Sequence, residues 1–443
     1  MERSLAFPLQ PHFDVCKVEP AIFEGFGRGM RCVEGARAGE ELIRISLAKC
    51  WTAEAAKECA ELAALGEEVL EAISDASLIA LHILVVRAQG VTTLDVCRKE
   101  HVITLETSDF ETLMDWGEND LKMLAGSKWA VVAPACRNDI EEEFGELQEI
   151  LGEFFMRFGI SATDFIWAHK ILISRSVQFF MEDGSLLYLL GPGQDMFNHS
   201  IEAPVGDSDV NLVSCAKTGQ RFLVIRAFKD FEAGEQAFYS YSGASNGRLL
   251  MMAGFVIPDN PHNSVELTFT FNLSDASRPL YRSLAMGLQQ GLCTPGAVAI
   301  EETRDEFLEE LPESNEAVLH MRLAASDLKA QLERTLAFFR LAQLCSGGRV
   351  PSQERLSSCD SNPNDECRVK AEQTLRMALM QMLAGYASSL EEDEAALPAA
   401  EEAAIANPSG PTGRQLRRRA SSLRVLMGEK QIYKLALEHL CKA

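Results

Sequence analysis

No two of the twelve cysteines in this 443-residue chain form a Cys-x-x-Cys pair, and the nearest, Cys359 and Cys367, stand eight positions apart. Zinc modules need tightly spaced thiolates and imidazoles, and no His-x-x-x-His occurs among the eight histidines. No bound metal is therefore expected. Basic residues are scarce: 42 Lys and Arg stand against 65 Asp and Glu, for a formal net charge of −23. Phosphate contacts need clustered Lys and Arg, so nucleic acid and anionic membranes are expected not to be partners. Long apolar runs are missing too. The most apolar helix, "SLIALHILVV" from Ser77 to Val86, is roughly half of what spans a bilayer. The first residues, "MERSLAFPLQPHFDV", lack the apolar core of a signal peptide. A soluble, cytoplasmic protein with reduced thiols is expected, with the nucleus as the alternative compartment, and the chain is expected to be monomeric. That reading removes Asn198-His199-Ser200 as a glycosylation acceptor.

What is present changes texture along the chain. "ELIRIS" from Glu41 to Ser46 alternates as a strand does, after a glycine-rich "GFGRGMRC". Residues 52–173 show apolar positions at three- and four-residue spacing, the stripe of amphipathic helices. "TDFIWAHKILISRS" places Thr163 or Asp164 as a helix cap. Strands return with "VNLVSCA" and "QRFLVIRAF" about a "KTG" turn, and "VELTFTFNL" alternates cleanly. From Ser274 onward helices are expected. "EAVLHMRLAASDLKAQLERTLAFFRLAQL" reads as one long helix, and an acidic, then Pro/Gly-rich stretch near 391–413 as a flexible linker. The "RRRASS" run, Arg417 to Ser422, reads as a solvated helix face. The expected architecture is α+β. A β-rich core (1–51 and 174–273) is split by a helical insert (52–173) and followed by an all-α domain (274–443).

Four stretches stand out: "GRGM" (Gly27–Met30), "SRS" (Ser174–Ser176), "DMFNHS" (Asp195–Ser200) and "GEQAFYSYSGASNGRLLMMAGF" (Gly234–Phe255). Each alone is ordinary. A glycine pair usually marks a turn, an arginine at a helix end suits the dipole, and strand tyrosines usually pack. The last stretch also carries Tyr239, Tyr241 and Asn246.

In this order and spacing the four resemble the SET-domain protein methyltransferases, in the branch like the Rubisco large-subunit methyltransferase. The resemblance runs from about Gly25 to Leu273, and more loosely through the C-terminal helices to "GEKQIYKLAL". It implies a β-rich SET core with a helical insertion and a helical substrate-binding domain, on which a protein substrate would dock. It implies S-adenosyl-L-methionine as cofactor, held by the backbone at Arg28, Gly29 and Met30, by Arg175 through the methionine carboxylate, by Asn198 and His199, and by Phe255 on the adenine. Tyr241 would be the catalytic residue, orienting the nucleophile. Val177, Tyr239 and Ala253 would line the substrate channel.

The chain departs from the family pattern at three places. Val177 stands where lysine-directed members usually carry an aromatic, Ala253 precedes Gly254-Phe255 where many have tyrosine, and Ser242 replaces the usual glycine after Tyr241. The first two imply a wider channel. A protein-lysine methyltransferase is the expected activity. "GEQ" and the small residue before "GF" also resemble actin-histidine methyltransferases, but those use a polar amide near the Val177 position, and valine cannot hydrogen-bond. A catalytically weak SET fold kept for protein binding is the reading from a different class.

Overall fold

The computed structural model describes residues 12–90, 95–107, 110–181, 184–205, 210–272, 316–344 and 364–442, with a few positions between 352 and 362. The chain divides into two compact units. One takes residues up to Trp116, Val131–Gly243 and Leu249–Phe255; the other takes Gly117–Ala130, Ala244–Arg248 and everything from Val256.

The first unit holds two four-stranded sheets. Strands β1 (Val15–Cys16), β4 (Glu41–Ser46), β9 (Arg221–Arg226) and β8 (Val210–Ser214) form one, in the order β1-β4-β9-β8. The other runs β2-β3-β10-β7, from β2 (Val18–Phe23), β3 (Gly27–Cys32), β10 (Gln236–Tyr239) and β7 (Asn198–His199). Its last pair is parallel: Phe238 faces Asn198 and Tyr239 faces His199. A hairpin of β5 (Val177–Phe180) and β6 (Leu186–Leu189) stands apart from both sheets. The predicted strand Glu41–Ser46 forms as read, but Leu42, Ile43 and Ile45 are all fully buried, so both faces are covered. Each such side chain contributes about 1.5–3 kcal/mol. The "KTG" turn also forms, with Ser214 opposite Arg221. "GRGM", whose glycine pair reads as a turn, is instead the strand β3, paired with β2 and β10.

The insert supplies helices Asp75–Gln89, Val96–Glu106, Trp129–Phe158 and Ala162–Arg175. The last is capped by Ser161, two or three residues earlier than expected. Ser161 Oγ accepts from Asp164 N while the Asp164 carboxylate accepts from Ser161 N, a reciprocal capping box.

The second unit pairs β11 (Ser264–Asn272) with β12 (Glu316–Ala324) and packs helices Leu328–Leu344, Glu366–Ala384, Leu390–Ala406 and Gly410–Lys442. Residues 264–272 thus lie in this unit rather than closing the β-rich core, and residues 117–130 leave the insert to join it. Two sequence expectations fail here. "EAVLHMRLA" is a strand, not the start of a long helix, because Met321 and Leu323 repeat at period two opposite Leu267 and Val265. The acidic stretch is a helix, not a linker. Its Ser389–Glu392 capping box closes the first turn, three acidic residues there suit the positive helix end, and buried Asp393 pairs with buried Lys430 at 2.5 Å.

Candidate functional site

Two short strands bring the motif residues together. Parallel pairing of β7 with β10 sets Asn198-His199 beside Phe238-Tyr239. Asn198 Nδ2 then donates to the Arg28 carbonyl at 3.0 Å, tying β7 back to β3. This explains Gly29. A Cβ there would stand 2.5 Å from Gln236 Nε2 and 2.7 Å from Asn198 Nδ2, so the missing side chain makes room for two amides of the protein itself. Met30 is wholly buried, with its side chain in the core and its strand paired on both sides.

The aromatic residues form a contiguous group. Tyr239 and Tyr241 ring centroids are 5.1 Å apart, and His199 lies 5.4 Å from Tyr241. Phe255 stands 6.1 Å from His199 and 6.2 Å from Tyr241. His199 Nδ1 accepts the Tyr241 backbone N–H at 3.0 Å, so Nε2 carries the ring proton. Tyr241 donates its hydroxyl proton to the Phe197 carbonyl at 2.7 Å. Burial pushes its pKa up to about 12, with Arg175 opposing. The phenol is therefore neutral at pH 7, and its oxygen lone pairs are available as acceptors. Tyr239, buried as well, accepts from Gln194 Nε2 at 2.8 Å, and its pKa too lies well above the ordinary value because of burial.

Arg175 ends its helix and meets a buried carboxylate. Its Nη1 donates to Asp195 O at 3.0 Å and lies 3.3 Å from Asp195 Oδ2. Phe110 packs 5.1 Å from the guanidinium. Nε is buried with no hydrogen-bond partner, which leaves one edge of the guanidinium for a ligand anion. Burial alone would raise Asp195, but His101, Arg175 and Arg28 hold it down at about 2. Arg28 donates from Nη1 to Thr104 O at 3.3 Å. Burial lowers its pKa while Asp195 opposes.

Every candidate is thus placed, though not equally. Arg28, Gly29, Asn198, His199, Tyr239, Tyr241 and Phe255 are joined by bonds or ring contacts, and Gln194 links Arg175 O to the Tyr239 hydroxyl. Val177 packs on the same core as Tyr239 and Tyr241. Ala253 ends a helix two residues before Phe255 and is brought near only by the chain. Asn246 sits in the other unit and is structural: its side chain bonds Ile257 N, Ile257 O and Asn260 Nδ2. Sequence reasoning missed Gln194, Phe110 and His101. A single histidine on an amphipathic helix carries no signal until its partner is known. Among the described residues no group of acidic, His or Cys side chains could hold a metal, and no helix is long and apolar enough to cross a membrane.

Comparison with known proteins points the same way. Residues 300–432 match the family model described as Rubisco LSMT substrate-binding. The crystal structure of the SET domain of LSMT bound to lysine and AdoHcy superposes with a TM-score of 0.70 at 16% identity, covering 98% of this chain and 89% of that one. Rubisco LSMT bound to AdoMet gives 0.67 at 15%, with the same coverage. The chain has the LSMT-type SET fold, and its C-terminal region is similar to the substrate-binding family model. In sequence it is 23% identical over 269 residues to the actin-histidine N-methyltransferases of Rhinolophus ferrumequinum and Homo sapiens. These matches cover 58% of this chain but 42% of each relative, so the chain spans less than half the length of the relatives it matches.

Proposed function

We propose that the protein is an S-adenosyl-L-methionine-dependent protein methyltransferase. The observation that carries this reading is the convergence of a neutral Tyr241, the His199 and Phe255 rings and the unpartnered Nε of Arg175. The solved relatives of the same fold are bound to AdoMet or AdoHcy, and the residues here suit that ligand. Arg175 would take the methionine carboxylate in a charge-assisted contact. Phe255 offers a ring for the adenine, and the backbone at Arg28 to Met30 and at His199 would border the site. The bound cofactor would supply the electrophilic methyl.

The chain's own part is orientation and exclusion of water, worth roughly 7–11 kcal/mol when well aligned. Tyr241, its proton engaged on Phe197 O, would accept a hydrogen bond from the incoming amine and fix its direction. With a pKa of about 12 it is unsuited to act as a base at pH 7. The target amine must arrive neutral, and apolar walls such as Val177 favour that form by desolvation.

Lysine is the preferred target, because Val177 offers no hydrogen bond to orient an imidazole. Histidine is the second reading, favoured by the names of the sequence relatives. A protein substrate would dock on the helical region that matches the substrate-binding family.

The test is transfer of label from isotopically marked S-adenosyl-L-methionine into proteins of a cell extract, with mass spectrometry to locate it. Tyr241→Phe is expected to lower transfer by about 100-fold or more, with cofactor affinity within several-fold of the parent. Full activity of that variant would reject the role given to Tyr241. Labelled histidine rather than lysine would select the second reading. Cofactor binding without transfer would favour a binding module.

A further inference from the structure

We propose that His101, on the insert helix Val96–Glu106, is a positioning residue that keeps Asp195 from pairing with the Nε edge of Arg175, where a ligand anion would bind. The inference rests on the cofactor reading above and gives a role to a side chain outside the four motifs. Trp51 Nε1 can only donate, and it donates to His101 Nδ1 at 2.8 Å. The ring proton therefore sits on Nε2, which faces Asp195 Oδ1 at 3.0 Å. Gly193 N–H donates to the same oxygen at 3.1 Å. Trp51 and the His101 and Asp195 side chains have essentially no solvent exposure. With Oδ1 held twice, Asp195 turns Oδ2 and its backbone oxygen to a single nitrogen of Arg175, Nη1.

That division matters because the carboxylate could otherwise close on Arg175 by itself. Arginine meets carboxylates through paired N–H groups, and a carboxylate freed to rotate would pair with Nη1 and Nε together. Held as it is, Asp195 supplies a countercharge to the part-buried guanidinium. It leaves Nε buried and without an acceptor. A buried N–H in that state is costly, which is the condition under which an arriving carboxylate binds best. The same helix also anchors the second guanidinium, since Thr104 O, one turn on from His101, accepts from Arg28. The helical insert is thus part of the binding machinery through a residue that never touches the ligand.

The test uses two ligands that differ in the relevant group, on the full-length chain. S-adenosylhomocysteine carries the amino-acid carboxylate; methylthioadenosine keeps the nucleoside and sulfur without it. Titration calorimetry on His101→Leu is expected to show about a tenfold or greater loss for S-adenosylhomocysteine. Methylthioadenosine affinity is expected to stay within about twofold of the parent. His101→Gln can accept from Trp51 and donate to Asp195, and is expected to recover most of the loss. A merely structural role predicts equal losses for both ligands, and that result, or no loss for either, overturns the proposal. Should His101→Leu fail to fold, Asp195→Asn, nearly isosteric, is held to the same two outcomes. A parent protein that binds neither ligand refutes the cofactor reading and this inference with it. Binding of both, with equal losses in the variants, refutes the inference alone.

Discussion

Ser242 follows Tyr241 with φ at 135°, a region that suits glycine and strains any residue with a Cβ. Such outliers cost of order 1–3 kcal/mol and persist where the surroundings impose them. The neighbours do so here: the Tyr241 backbone N–H is fixed on His199 and its hydroxyl on Phe197 O. Ser242→Gly is expected to stabilise the protein by about 1 kcal/mol, read as a later urea midpoint. An unchanged midpoint would mean that the strain is compensated locally. The serine was visible in the sequence as a departure from the family, but its backbone angle was not. Gly29 teaches the converse. Its presence was legible, while its reason, two amides converging on one Cα, needed a strand pairing between residues far apart in the chain. His101 was illegible for the same reason: its meaning lies in Asp195 and Trp51, and neither is near it in sequence.

At the scale of elements, local period decided what could be read. Strands with clean alternation or a turn signal, such as Glu41–Ser46 and the pair about "KTG", were legible. The Glu316–Ala324 strand was not, because it runs directly into a strongly amphipathic helix and its alternation was absorbed into that longer pattern. The acidic helix Leu390–Ala406 was missed because composition alone suggested a solvated linker. What orders it is buried Lys430, which donates to Asp393 and to Ser388 Oγ. Lys430→Met would leave Asp393 buried without its countercharge. The expected destabilisation is about 3–5 kcal/mol, and the double variant Lys430→Met with Asp393→Leu should regain most of it. Urea unfolding of the three proteins measures both. Equal stability of the single and double variants would show that Asp393 finds water once its partner is gone.

Across the whole molecule, two buried carboxylates give stability opposite pH dependences. Asp195, in the first unit, is held at about 2, below its ordinary 3.8. Its contribution is complete above the ordinary value and is lost as pH falls through 2. Glu429, in the second unit, is raised to about 7 from 4.5 by burial, against hydrogen bonds from Tyr386 and Ser127. Its contribution is complete below 4.5 and is lost as pH rises through 7. Between pH 5 and 8 that loss is expected to reach up to about 3 kcal/mol, and Glu429→Gln should flatten it. A variant with the parental slope in pH-dependent unfolding would assign the loss to other groups. The general plan of the molecule was readable from four motifs and two changes of texture, whereas the unit boundaries were not, since the chain crosses between units four times before residue 255. The pairing of β3 with β10 has one more consequence, for the order of events during synthesis. It joins positions roughly 200 residues apart, so a nascent chain cannot complete the β2-β3-β10-β7 sheet until Tyr239 has left the ribosome. Every earlier fragment carries the β3 edge unpaired on that side, and the growing chain must be kept from aggregating for more than half of its length.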